Sequence, residues 1–218
     1  MSKFTPAAII LTGAGGASGA YYYAPKPSNK PTSSIIKVKF KDKYKAALLN
    51  AKENGDSQLW KKKWDLMQEK EPTHPKLKES LQKKDQNLHK EACQEIYSSS
   101  VMATPYFFDF KNYCSKNNQD GLGGSWIADG SESKPKPKNK WDDKLTKLKS
   151  AKKDDLSKAL LSLHIKLNPQ EEKGKSNPFT VKDENRKELK DWCDYFASEM
   201  FFGEGGIDVK SAKEYCIE

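Results

Sequence analysis

Apolar side chains are scarce in this chain. They make up 35% of its 218 residues against 32% charged, which suits narrow stripes along amphipathic helices better than a sheet buried on both faces. Histidine is scarcer still. His74, His89 and His164 show no metal-ligand grouping; His89 and Cys93 stand four apart, but a structural zinc needs about four converging ligands. Solvated surface or disulfide geometry is therefore the expected setting in place of a metal. No cysteine is accompanied by a histidine and a third group in a nucleophile arrangement. The acidic pairs Asp142-Asp143, Asp154-Asp155 and Glu171-Glu172 lie among lysines, which fits helix starts and exposed faces better than buried acid–base pairs. The expectation is a protein with no catalytic residue, no metal site and no cofactor.

Charge is missing altogether from Phe4 to Ala20, where Ile9, Ile10 and Leu11 lead through small residues to Tyr21, Tyr22 and Tyr23. Such a stretch is about one membrane span long, and tyrosines favour the membrane–water interface. Residues 1–23 therefore read as a signal anchor. A removable signal peptide is the competing reading, with Ser18 and Ala20 at the −3 and −1 positions of a cleavage site. The glycines at 13, 15, 16 and 19 also resemble a phosphate-binding turn. That reading fails because Tyr-Tyr-Tyr-Ala-Pro-Lys-Pro follows in place of a helix with a later acidic residue. Gly121, Gly123 and Gly124 fail in the same way, since no Lys-Ser or Lys-Thr pair follows them.

The formal charge of +9 is not spread over the chain. Residues 64–218 hold 27 basic and 27 acidic groups, whereas 21–63 hold 11 lysines against Asp42, Glu53 and Asp56. A neutral body disfavours nucleic acid as a partner. The local excess, led by Lys26, Lys30, Lys37, Lys39, Lys41, Lys43 and Lys45, reads as a juxtamembrane patch next to anionic lipid. It follows the apolar segment, and basic residues tend to stay on the cytoplasmic side. The segment thus argues for a membrane more firmly than for a side of it.

Residues 24–34, with Pro25, Pro27 and Pro31, form a linker. Beyond it the spacing predicts helices. Ile36, Phe40, Tyr44, Leu48 and Ala51 recur at helical intervals, with a strand through Ile36, Val38 and Phe40 as the alternative. Asp56 or Ser57 can cap a helix carrying Leu59, Trp60, Trp64 and Met67. Helices follow over 76–83 and 86–99, and Thr104-Pro105 reads as a cap with proline at the first helical position. The aromatic run Tyr106, Phe107, Phe108, Phe110 and Tyr113 reads as core. Residues 116–140 are rich in glycine, serine and proline and read as a linker between unit 1 (35–115) and unit 2 (141–218).

The second half echoes the first. LHKEACQEIY around Cys93 parallels LKDWCDYF around Cys193, FKNYC ends at Cys114 and AKEYC at Cys216, and Trp60/Trp64 is matched by Trp141 with Leu145 and Leu148. Four cysteines allow three pairings. The echo selects Cys93–Cys114 and Cys193–Cys216, which require an oxidising compartment. The fold class expected is mainly α: an N-terminal membrane-directing helix, then two related small helical units, each closed by a disulfide.

This organisation resembles the paralogous families of uncharacterised, predicted surface proteins in haemotropic mycoplasmas. The resemblance rests on the small-residue apolar segment, the tryptophan helix, the Leu-x-x-Trp-Cys type helix and the terminal Tyr-Cys. It implies a protein at the outer face of the cell membrane of a wall-less bacterium living on red cells, antigenically variable, with a host-cell or antibody partner. The alternative expectation is an inner-face membrane protein whose basic segment 26–63 binds anionic lipid or nucleic acid.

Overall fold

The computed structural model describes residues 37–52, 55–102, 104–132, 138–169 and 180–218. The expected membrane segment (Phe4, Ile9, Ile10, Leu11, Tyr21, Tyr22, Tyr23), the 24–34 linker, Lys26 and Lys30 lie outside them. Among the described residues no helix is long and apolar enough to cross a membrane, and the fold is mainly helical, with isolated β-bridges and no strand.

The described residues form ten α-helices in order: α1 Phe40–Lys43, α2 Ser57–Glu69, α3 Pro75–Lys83, α4 Gln86–Ser98, α5 Phe107–Tyr113, α6 Asn118–Leu122, α7 Lys140–Lys149, α8 Lys158–Leu167, α9 Asp183–Ser198 and α10 Ile207–Tyr215. Their starts are set by local chemistry. Pro75 opens α3, where a missing N–H costs nothing. Asp85 caps α4 by accepting from the Asn87 and Leu88 amides, and Asn139 and Ser157 cap α7 and α8. Apolar stripes at helical spacing then decide the faces: Trp60, Trp64 and Met67 on α2, and Trp141, Leu145 and Leu148 on α7, are buried.

Several expectations need correction. The helix over residues 36–51 is only α1 followed by a 3₁₀ turn, Lys45–Ala47. Leu48 is extended because it pairs with Ser115. Asp56 sits before α2 in the left-handed region (φ 49°), and its carboxylate accepts from the Asn50 amide instead of capping the helix. The helix expected at Thr104-Pro105 begins at Phe107. Residues 116–132, expected to link, are built into the body. Asn117 and Asp120 close a capping box on α6, Asn118 and Ile127 are buried, and the absent side chain of Gly121 leaves room for the Phe201 ring. No histidine is at the solvated surface: all three are buried, and His89 lies beside the Cys93–Cys114 bridge. Each has a use there: His89 Nε2 donates to the Tyr113 carbonyl (3.0 Å), His164 Nδ1 donates to the Leu148 carbonyl (3.0 Å), and His74 packs edge-on to Tyr106.

Residues 37–218 form one unit with two hydrophobic clusters. One gathers α1 to α5 around Phe40, Met67, Leu77, Ile96 and Phe110, and the other gathers α7 to α10 around Trp141, Leu145, Leu160 and Leu189. Met200, late in the chain, belongs to the first cluster.

The two halves make the same main-chain bonds. Phe40 N donates to Ser99 O as Asn118 N does to Glu199 O; Val101 N to Val38 O as Phe201 N to Lys116 O; Lys116 N to Ala47 O as Glu218 N to Ser125 O. The Trp60 indole donates to the Asn50 carbonyl and the Trp141 indole to that of Asp129, both at 2.8 Å. These bonds fix a correspondence, residue by residue, between the halves. They also show that residues 115–118 serve both, pairing backwards with Leu48 and forwards with Met200.

Candidate binding pocket

The four cysteines pair as Cys93–Cys114 and Cys193–Cys216, and none is free. Each bridge ties the middle of a long helix (α4, α9) to the end of the short helix that follows (α5, α10). All four sulfurs are buried. His89 lies within 4.8 Å of the first bridge, but sulfurs bonded to each other offer no thiolate to a metal. Burial pushes the His89 imidazole down to about 4, against the opposing pull of the Tyr113 carbonyl, so the ring is neutral near pH 7. Lys37, Lys39, Lys41, Lys43 and Lys45 are all exposed around α1, spread over a short element and not gathered into a cleft.

The aromatic run expected as core is core in part. Phe110 and Tyr113 are buried, Phe107 is half-buried, and Phe108 is exposed. Phe40, Tyr44, Phe107 and Phe110 form one ring cluster, with Phe40 4.7 Å from Phe110 and Tyr44 6.1 Å from Phe107 between centroids. This cluster fills the angle between α1 and α5.

The corresponding angle in the second half lies between α6 and α10. By the shared bonds its positions carry Asn118 for Phe40 and Leu122 for Tyr44. Counting back from Cys114 and Cys216, which close their helices with the same bond to Phe110 and Ala212, Val209 stands for Phe107. Four rings are replaced by an amide, two aliphatic side chains and a methyl group. Leu122 and Ala212 pack into the second cluster, and at the other two positions a predominantly apolar cavity of about 320 Å³ opens, with Asn118 and Val209 in its wall beside Phe196, Met200, Phe202 and Ile207. Asn118 Nδ2 donates to the Phe196 carbonyl (2.8 Å), so its amide is already engaged.

The mouth is framed by the loop from Phe202 to Gly206. Gly203 and Gly206 hold φ of 109° and 99°, a region that other residues adopt only under strain. Phe202 is 70% and Tyr195 65% exposed, and the Phe202 ring also packs at a tilt against Tyr44 of the first half, 5.8 Å between centroids. The cavity thus continues the ring cluster of the first half outwards. Glu199 and Asp208 lie at its edge, and Glu199 is paired with Lys111 at 2.9 Å.

Sequence reasoning did not find this site, although its signal is present. Once the halves are aligned on Phe40 and Asn118, the run of large-to-small exchanges can be read from the chain alone. Comparison with known protein families, with curated proteins and with solved structures finds no match to this chain.

Proposed function

We propose that this is a non-enzymatic binding protein displayed at the outer face of a cell membrane and held there by residues 4–23. Its ectodomain consists of two related helical units, each closed by its own disulfide. The partner is a host-cell or antibody surface. The observation that carries this reading is the bonding of all four cysteines within units, with none free. Such bridges persist in oxidising compartments and are rare in the cytosol. The matching main-chain bonds support descent of the units from one ancestral module.

The test is protease treatment of intact cells that make the full chain, followed by non-reducing peptide mapping. The body should be digested from outside, and the peptides should carry the two bridges. Protection of the body, or four free thiols in cell-derived protein, would reject the reading.

A second reading draws on the exposure of Lys37, Lys39, Lys41, Lys43 and Lys45. In it the basic segment 26–63 lies on the inner face and binds anionic lipid. It expects reduced cysteines in cells and binding to phosphatidylserine vesicles that weakens steeply with salt. Binding indifferent to salt would exclude it.

A further inference from the structure

We infer that the cavity between α6 and α10 is a ligand site for a small aromatic molecule without negative charge. The first half shows what this geometry accepts when it is filled. At matching main-chain positions it holds Phe40 and Phe107 in one ring cluster with Tyr44 and Phe110, while the second half holds Asn118 and Val209 around a space of about 320 Å³. A core that loses rings of this size normally collapses or refills, because voids forfeit dispersion contacts. Here the surrounding frame is retained: the bonds Asn118 N to Glu199 O and Phe201 N to Lys116 O hold the same register as in the filled half, and the second bridge fixes α9 to α10.

The wall favours rings. Phe196 and Phe202 supply aromatic surface, and Val209, Met200 and Ile207 supply aliphatic surface. Rings placed against such walls gain from offset or edge-to-face packing as well as burial. The volume is at the lower end for small-molecule sites, which suits one or two fused rings and not a long acyl chain. Of the two carboxylates in the lining, Glu199 is paired with Lys111, so the repulsion an anion would meet comes from Asp208. The exposed faces of Phe202 and Tyr195 at the mouth are otherwise unfavourable large apolar surface, and a bound ring would cover Phe202.

The site can be tested with the disulfide-bonded full chain and the neutral dye N-phenyl-1-naphthylamine, read by its fluorescence rise. Saturable binding at one site per chain is expected, with the anionic dye 8-anilinonaphthalene-1-sulfonate binding more weakly. Val209→Phe restores the residue type that Phe107 provides in the filled half and should weaken the neutral dye by about tenfold or more. Ile207→Trp obstructs the mouth from a partly exposed position that carries little folding risk, and should do the same. Circular dichroism and absence of free thiols establish that each variant is folded. Absence of saturable binding by the unaltered protein up to roughly 1 mM would overturn the inference. So would unchanged affinity in both folded variants, and equal affinity for the two dyes would overturn its charge preference.

Discussion

His89 and Leu189 occupy the same turn of matching helices, each four residues before a bridged cysteine and each fully buried. The histidine is the costlier choice. Its folded pKa, lowered by burial to about 4 from 6.5, means that the unfolded chain binds the extra proton first. Stability is therefore full above about pH 6.5 and falls as pH drops towards 4, by up to about 3 kcal/mol for this group. Burial also lowers His74, against the pull of Glu95 and Asp109, so it adds in the same direction. Urea unfolding at pH 7 and pH 5 should show the loss, and His89→Leu should remove most of it. A pH dependence unchanged in that variant would exclude His89 as its source. Tyr97 marks another difference between the halves. Its hydroxyl accepts from Leu49 N (3.3 Å) and donates to Cys114 O (2.6 Å), whereas Ile127 N reaches Cys216 O directly and Ala197 stands in place of the tyrosine. Tyr97→Phe leaves two buried main-chain groups without that bridge and should cost about 1–3 kcal/mol in the same unfolding assay.

The elements divide by how local their causes are. Helices α2 and α7 were legible because Trp60/Trp64/Met67 and its counterpart Trp141/Leu145/Leu148 repeat along one face, and a stripe is visible without knowing what covers it. The cysteine pairs were legible through the echo of LHKEACQEIY in LKDWCDYF. The short α1 was not, because Leu48 leaves the helix to pair with Ser115, 67 positions on, from 48 to 115; spacing carries no record of such a bond. Nor was α6, whose glycines resemble a linker. Gly121 is small because Phe201 lies against it, a tertiary cause with a loop-like signature. The burial of His89 and His164 was hidden likewise, since the acceptors that make it tolerable are main-chain carbonyls of Tyr113 and Leu148. The bridges close loops with sequence separations of 21 and 23. Each should contribute about 3 kcal/mol in the chain-entropy picture. Replacing both cysteines of one pair by serine should lower stability by about that amount or more, as serine hydroxyls in a dry core add a desolvation cost. Thermal unfolding of the two double variants would measure each bridge in turn.

The whole molecule is held together where the halves meet. Lys116 donates to Ala47 of the first half while its carbonyl accepts from Phe201 of the second, Met200 packs into the first cluster, and the Phe202 ring packs at a tilt against Tyr44. An ion pair spans the same joint: Lys63 of α2 lies 3.2 Å from Asp120 of α6, both side chains almost fully buried, with Lys62 at 2.7 Å from the same carboxylate. Burial works to raise the Asp120 carboxyl, but Lys62 and Lys63 outweigh it and hold it below its ordinary value. Burial pulls Lys63 down against the opposing attraction of Asp120. Removing one partner of such a pair strands the other, so Asp120→Ala should cost about 3–5 kcal/mol, while Lys63→Met with Asp120→Leu should recover much of the loss. The distribution of the effect matters more than its size. If the joint couples the halves into one cooperative body, Asp120→Ala should lower hydrogen-exchange protection in α4 and α9 alike, although neither helix carries the substituted residue. A loss confined to α6 and α9, with α4 unchanged, would mean that the halves open independently. The pocket would then sit on a module whose stability does not depend on its neighbour, and ligand binding there would protect the second half alone.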